Sequence, residues 1–210
     1  MSVVNRPSTD RVIVRNVSWE TYERLLKDLE NSSLPRLAYD HGVLEIMSPH
    51  LEHESANRAL ATIIEITLEE LDLDFINAGS TTFKREDLER GFEPDSCFYI
   101  QNVDRIRGKK KIDMHMDPAP DLLIEIDLTH DSLSKFALYA ALKVPEVWRY
   151  EEDPLEIWHL DSGGYVRHPS SRAIPILHDK VVSELVAAEN GLRRPEWLRL
   201  TRSKIRELLS

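Results

Sequence analysis

The sequence predicts a single α/β domain built around a mixed β-sheet. Three observations carry that prediction. Segments of helical and strand periodicity follow one another as helix, hairpin, helix, strands, helix, strands. Two short aliphatic runs, "FEPDSCFYI" and "LLIEID", read as interior strands although each contains acidic residues. No internal repeat or low-complexity linker divides the 210 residues.

The first helix lies in "VSWETYERLLKDL", with Ser18 as N-cap and Tyr22, Leu25, Leu26 and Leu29 at helical spacing. "RLAYDHGVLEIMSP" holds two alternating runs around a turn at Gly42, which reads as a hairpin. Residues 51–72 form a long amphipathic helix, with Leu60, Ile63, Ile64, Thr67, Leu68 and Leu71 on one side. Short strands are expected near 75–78, 81–84 and 96–100, then a polar, basic surface loop over 101–119. The strand 122–127 precedes a helix over 132–142, capped by Asp131 or Ser132. "EVWRY", "LEIWHL" and "GYVRH" supply further strands, the last two joined at Gly163-Gly164. The tail "RRPEWLRLTRSKIRELL" reads as a helix, with Pro195 tolerated in its first turn.

Composition narrows the function. With 41% hydrophobic and 30% charged residues, the chain is of the folded, globular class. No apolar run is long enough to cross a membrane, and "MSVVNRPSTDRVIV" lacks the features of a signal peptide, so a cytoplasmic setting is expected. One cysteine, Cys97, excludes an internal disulfide and a multi-cysteine zinc site; a buried thiol is its expected state. No Gly-rich phosphate loop is present, so no nucleotide cofactor is expected. A net charge of −10 argues against charge-driven gripping of nucleic acid, but not against a nuclease whose acidic cluster is neutralised by a metal ion.

The acidic strands pose the chemical question. Alternation puts Leu122, Ile124 and Ile126 on one face and Leu123, Glu125 and Asp127 on the other, with Asp121 one step earlier on the acidic face. Buried carboxylates need a partner or a cation. That face either opens to water, pairs with an arginine or recruits an ion. "FEPDSCFYI" sharpens the choice, because Asp95 shares a face with Cys97 and Tyr99 at the start of a second strand. Asp95 beside Glu125 suits Mg²⁺, with the Ile126 carbonyl as a third ligand. Lys135, on the following helix, is placed to reach back to that ion.

Four segments, "YDHGVLEIMSPHLEHE", "EPDSCFYI", "PDLLIEIDLTHDSLSKFALYAALKVPEVWRY" and "YVRHPSS", resemble in this order the Uma-two family of restriction-endonuclease-like proteins, within the PD-(D/E)xK nuclease superfamily. The resemblance covers roughly residues 18–178. It implies a restriction-endonuclease-like core, a mixed central β-sheet flanked by helices, and metal-dependent hydrolysis of DNA with Mg²⁺ or Mn²⁺. Asp95 and Glu125 match the metal-binding carboxylates. The superfamily pattern wants lysine at position 127, where this chain has Asp127; Lys135 matches a lysine that has migrated to the next helix. Asp127 is then an added ligand or a partner of Lys135. Without a working lysine, the fold would serve as a non-catalytic module that binds nucleic acid or a protein.

Glu45 is expected either to support the metal or to sit in solvent at an edge strand, and His53 to orient Glu45, to contact a phosphate or to lie at the surface. Arg105, Arg107, Lys109, Lys110 and Lys111 make a basic loop between the two acidic strands, readable as a phosphate contact near the site or as a solvated loop. The basic tail, Arg193 to Arg206, allows the same two readings. Trp148, Trp158, Tyr139 and Tyr150 read as core or dimer-interface residues. Residues 1–190 are expected to form the domain and 191–210 a helical extension. Cutting both strands of a duplex favours a homodimer.

Overall fold

The computed structural model describes residues 9–30, 35–126, 135–151 and 154–210. Strand β1 (Thr9–Arg15) leads into helix α1 (Trp19–Asp28), where the Ser18 hydroxyl accepts from the Thr21 N–H at 3.2 Å. Strands β2 (Arg36–Asp40) and β3 (Val43–Pro49) form the expected hairpin. Its two turn residues, His41 and Gly42, both have positive φ (45° and 82°), the conformation a two-residue hairpin turn requires. Helix α2 (Leu51–Glu70) follows, then β4 (Ile76–Asn77), β5 (Phe83–Arg85), β6 (Arg90–Phe92) and β7 (Ser96–Tyr99).

The segment 101–119 contains one short helix, α3 (Val103–Ile106), before β8 (Leu122–Ile126). Helix α4 (Phe136–Ala141) precedes β9 (Glu146–Tyr150), β10 (Glu156–Asp161) and β11 (Gly164–His168). Helices α5 (Asp179–Glu189) and α6 (Arg194–Leu209) close the chain. The caps expected at Asp131 or Ser132 lie outside the described residues. Strands β1 and β6 and helices α3 and α5 go beyond the sequence reading. β1 carries three consecutive aliphatics and no alternation, and β6 is only three residues long.

The strands form two sheets. A five-stranded antiparallel sheet has the order β1-β3-β2-β6-β5, and a six-stranded mixed sheet the order β11-β10-β9-β8-β7-β4. Only the β8–β9 pair of the second sheet is parallel. Alternation decides what each face of the mixed sheet meets. Phe98, Ile100, Leu122, Ile124, Ile126 and Trp148 pack against α2, α5 and α6. Cys97, Tyr99, Leu123 and Val147 pack the other way, against Phe83 and Phe92 of the first sheet and Leu138 and Tyr139 of α4. Helix α1 covers the far side of the first sheet through Trp19 and Tyr22. The acidic face of β8 therefore points at the junction of the two sheets.

Candidate active site at the junction of the sheets

The β7–β8 register pairs Ser96 with Ile124, Cys97 with Leu123 and Phe98 with Leu122. One step beyond the Ser96–Ile124 pair, the antiparallel ladder brings Asp95 level with Glu125. Asp95 takes over where the backbone ladder stops: its Oδ2 accepts from the Ile126 N–H at 2.7 Å. Asp95 is buried, and its Oδ1 forms an ion pair with the Arg36 guanidinium from β2. Arg36 also donates to Glu54 Oε1 at 2.7 Å. Helix α2 adds His53, whose Nε2 lies 3.3 Å from Asp95 Oδ2, and one turn later Asn57, whose amide donates to the Asp95 carbonyl at 3.1 Å.

Glu125 is held by α4. The Tyr139 hydroxyl donates to Oε1 at 2.6 Å, and Lys135 Nζ lies 3.3 Å from Oε2. Lys135 and Tyr139 are one helical turn apart, so one face of the helix supplies both contacts. The same ammonium stands 3.3 Å from Glu45 Oε1 of the first sheet, whose other oxygen accepts from Arg11 Nη2 at 2.8 Å. The chain Arg11–Glu45–Lys135–Glu125 thus alternates in charge from β1 to α4 and ends on the neutral Tyr139 hydroxyl. Burial penalises the Lys135 charge, but Glu125 and Glu45 together outweigh that penalty and raise its pKa. Lys135 is therefore an ammonium donor at neutral pH, not a proton acceptor. Burial, and then Glu125, push the Tyr139 hydroxyl well above its usual value, so it stays a donor.

The predicted residues separate into two groups. Glu45, Asp95, Glu125, Lys135 and the Ile126 backbone come together, and Asp127 lies outside the described residues. Glu45 is buried on an interior strand, which replaces the reading of a solvated edge glutamate. His53 is fully buried against Asp95, so it is neither a surface histidine nor exposed to a phosphate. The basic loop is also corrected. It joins the C-terminal end of β7 to the N-terminal end of β8, whereas Asp95 and Glu125 sit at the opposite ends. Sequence adjacency to both strands therefore carries the loop away from the site. Arg107 pairs with Asp74 and Lys109 with Asp117. Asp121 lies at that end too, accepting from the Ile100 and Asn102 backbone N–H groups at 2.8 and 3.0 Å. The basic tail spends Arg202 and Arg206 on Glu70 of α2, and Arg194 on Glu189. Arg11, Arg36 and Glu54 join the site without having been singled out in the sequence, and Tyr139, expected as a core or dimer-interface residue, joins it through its hydroxyl.

The donor set bears on a metal. No group of three or more His, Cys, Asp or Glu side chains is arranged to cage an ion among the described residues. Mg²⁺ does not need such a cage, because it keeps several waters and takes one or two carboxylates. Asp95 and Glu125, level on neighbouring strands with the Ile126 carbonyl beside them, are hard-oxygen donors that fit that requirement. Among the described residues, Glu45, Glu54, Asp95 and Glu125 form ion pairs with Arg11, Arg36 and Lys135.

A protein-family model described as "Putative restriction endonuclease", Uma2, matches residues 19–190. The chain belongs to the Uma2 family. The match takes in every described residue of the site except Arg11. No curated protein matches this Uma2 chain. Among solved structures it is similar to one titled as a putative nuclease belonging to DUF820 from Anabaena variabilis. The two are 15% identical with a TM-score of 0.52, covering 81% of this chain and 99% of that one. At that identity the likeness shows a shared fold alone. Helix α6 lies beyond the family match. Its Trp197 is buried, with Nε1 donating to the Leu185 carbonyl of α5 at 2.7 Å.

Proposed function

We propose that this Uma2 protein is a metal-dependent endonuclease that hydrolyses DNA phosphodiester bonds. The observation that carries the reading is the convergence of Asp95, Glu125 and Lys135, from two neighbouring strands and the following helix, at the junction of the sheets. Asp95, Glu125 and the Ile126 carbonyl would hold Mg²⁺ or Mn²⁺. When bound, such an ion lowers the pKa of a water and neutralises charge on a phosphate oxygen.

The remaining chemistry belongs to the chain's own residues. Arg36 and the Ile126 N–H engage both oxygens of Asp95, which sets the plane of the carboxylate. Tyr139 fixes Glu125 in the same way. Lys135, held charged between two carboxylates, presents N–H donors to the negative charge that develops on the phosphate as water attacks. Glu45 keeps Lys135 aimed at the site and is itself anchored by Arg11. The apolar residues of the inter-sheet core exclude bulk water on the inner side, which strengthens each of these interactions. Two copies acting on opposite strands would suit a homodimer.

Plasmid cleavage tests the reading. The wild-type chain should nick supercoiled DNA with Mg²⁺ and not with EDTA, and Asp95→Ala and Lys135→Ala should abolish it; cleavage that survives both changes removes this mechanism. One observation favours a second reading, a non-catalytic nuclease-fold module. Every carboxylate oxygen of Asp95 and Glu125 already has a protein partner. Calorimetry separates the two, since the module predicts no Mn²⁺ binding.

A further inference from the structure

We propose that Arg149 and Arg167 form a phosphate track along which one strand of duplex DNA runs into the site. The track rests on the nuclease reading and adds to it a path for the substrate. β8 and β9 are parallel, and their register puts Glu125 directly opposite Arg149. β9 and β10 are antiparallel, and theirs puts Arg149 opposite Glu156. Directly opposed residues share a sheet face, so Glu125, Arg149 and Glu156 form one row on the face that carries the site. On β11, Arg167 is opposite Trp158, on that same face, and reaches Glu156 Oε1 at 3.1 Å.

The row has a direction. Neighbouring strands are about 4.8 Å apart, so each strand carries the track one step away from Glu125. Exposure rises along it, from 29% for the Arg149 side chain to 45% for Arg167. Glu156 accepts from the Trp158 indole at 3.2 Å and lies 3.7 Å from Arg149 Nη1, while Glu151 holds Arg149 Nη2 at 2.9 Å, so two carboxylates orient the pair of guanidinium groups. Beneath them, Phe136 packs on Trp158 and Tyr165 with ring centroids 5.0 Å apart in each case. Phe136 directly follows Lys135, which ties this aromatic floor to the site. A guanidinium suits a phosphate oxygen pair geometrically, and contacts of this kind set the register of a nucleic acid. The other basic segments do not compete for the role, since the 101–119 loop leaves the far end of the strands and α6 packs with α2 on the opposite face of the mixed sheet.

Fluorescence anisotropy of a short labelled duplex in EDTA, across a salt series and with the full chain, tests the track. R167A and R149A should each weaken binding at low salt and reduce the log–log salt slope by about one. E156Q should tighten binding, because it removes the carboxylate on Arg167, while Arg149 keeps Glu151 at 2.9 Å. A mere surface ion-pair network predicts no change in affinity from any of the three. Melting curves check each variant, and R167A, the more exposed, carries the test if R149A does not fold. Wild-type binding left unaltered by R167A and E156Q overturns the track. A slope that responds only to Lys110→Ala and Lys111→Ala also overturns it. A wild-type chain without salt-dependent DNA binding overturns the nuclease reading together with the track, so the two failures are distinguishable.

Discussion

Asp95 and Ile126 are joined across the point where the β7–β8 ladder ends, with the Asp95 Oδ2 accepting the Ile126 N–H at 2.7 Å in place of a backbone carbonyl. The same carboxylate takes the Arg36 charge on its other oxygen. Asp95 thus closes the sheet and clasps it to the neighbouring sheet. Among the described residues, Asp95→Asn should leave the buried Arg36 with Glu54 as its one carboxylate partner, at a cost of about 3–5 kcal/mol. Urea denaturation measures it, and a loss below about 1 kcal/mol, the scale of an exposed pair, would show that the clasp carries little.

Tyr139 should matter to chemistry more than to folding. Tyr139→Phe keeps the ring packed edge-on against Phe92, with centroids 4.8 Å apart, and removes only the hydroxyl on Glu125. Outer partners of metal ligands typically contribute about 10–100-fold to affinity or activity. Mn²⁺ affinity by calorimetry and the cleavage rate should both fall within that range while the far-UV spectrum is unchanged. Equal affinity and rate in the variant would remove Tyr139 as a positioning residue.

A second buried acid lies on the opposite face of the mixed sheet and predicts a pH dependence of stability. His159 stacks on His168 at 4.2 Å, with its Nε2 3.6 Å from Glu146 Oε2. Burial, and then the charges of His168 and Arg172, lower the His159 pKa below 6.5. The unfolded chain then binds this proton more readily than the folded one. Its contribution is full above pH 6.5 and is lost as pH falls through the folded value. Burial moves Glu146 the other way, so its contribution is full below 4.5 and declines as pH rises through its folded value. His159→Phe should flatten the acid limb below pH 6.5 in urea titrations; an unchanged limb would place the loss elsewhere.

Gly91 on β6 faces Tyr22 of α1, and a Cβ there would come within 2.9 Å of Tyr22 Cε1. Gly91→Ala should therefore destabilise by about 1–3 kcal/mol through overpacking. Thermal melts comparing the single variant with Gly91→Ala/Tyr22→Phe would show partial relief in the double variant, because the hydroxyl makes the closest approach. No relief would mean that the backbone, and not Tyr22, is strained.

The part of this arrangement that is legible in the sequence depends on local periodicity. Two-residue alternation orients Asp95 and Glu125, and helical spacing places Lys135 after the acidic strand. The i, i+4 relation of Lys135 and Tyr139 was equally available as a signal. Arg11 and Arg36 were not, because their partners come from strands distant in sequence and meet only where the two sheets pack. His53 misleads for a related reason: the first turn of α2 reads as polar and solvated, and Leu51 and Glu52 are exposed, yet His53 is buried against Asp95. The basic loop shows the limit of adjacency, since a connection between antiparallel strands emerges at one end and leaves the other end to different elements.

The central claim is that Asp95 and Glu125 share a divalent ion. A crystal of the wild-type chain soaked in Mn²⁺ and measured for anomalous scattering tests it most directly. A peak is expected between the two carboxylates, absent from Glu125→Gln crystals treated alike. Full soaking with no peak there, and with Arg36 and Lys135 still closing on the two carboxylates, would contradict it.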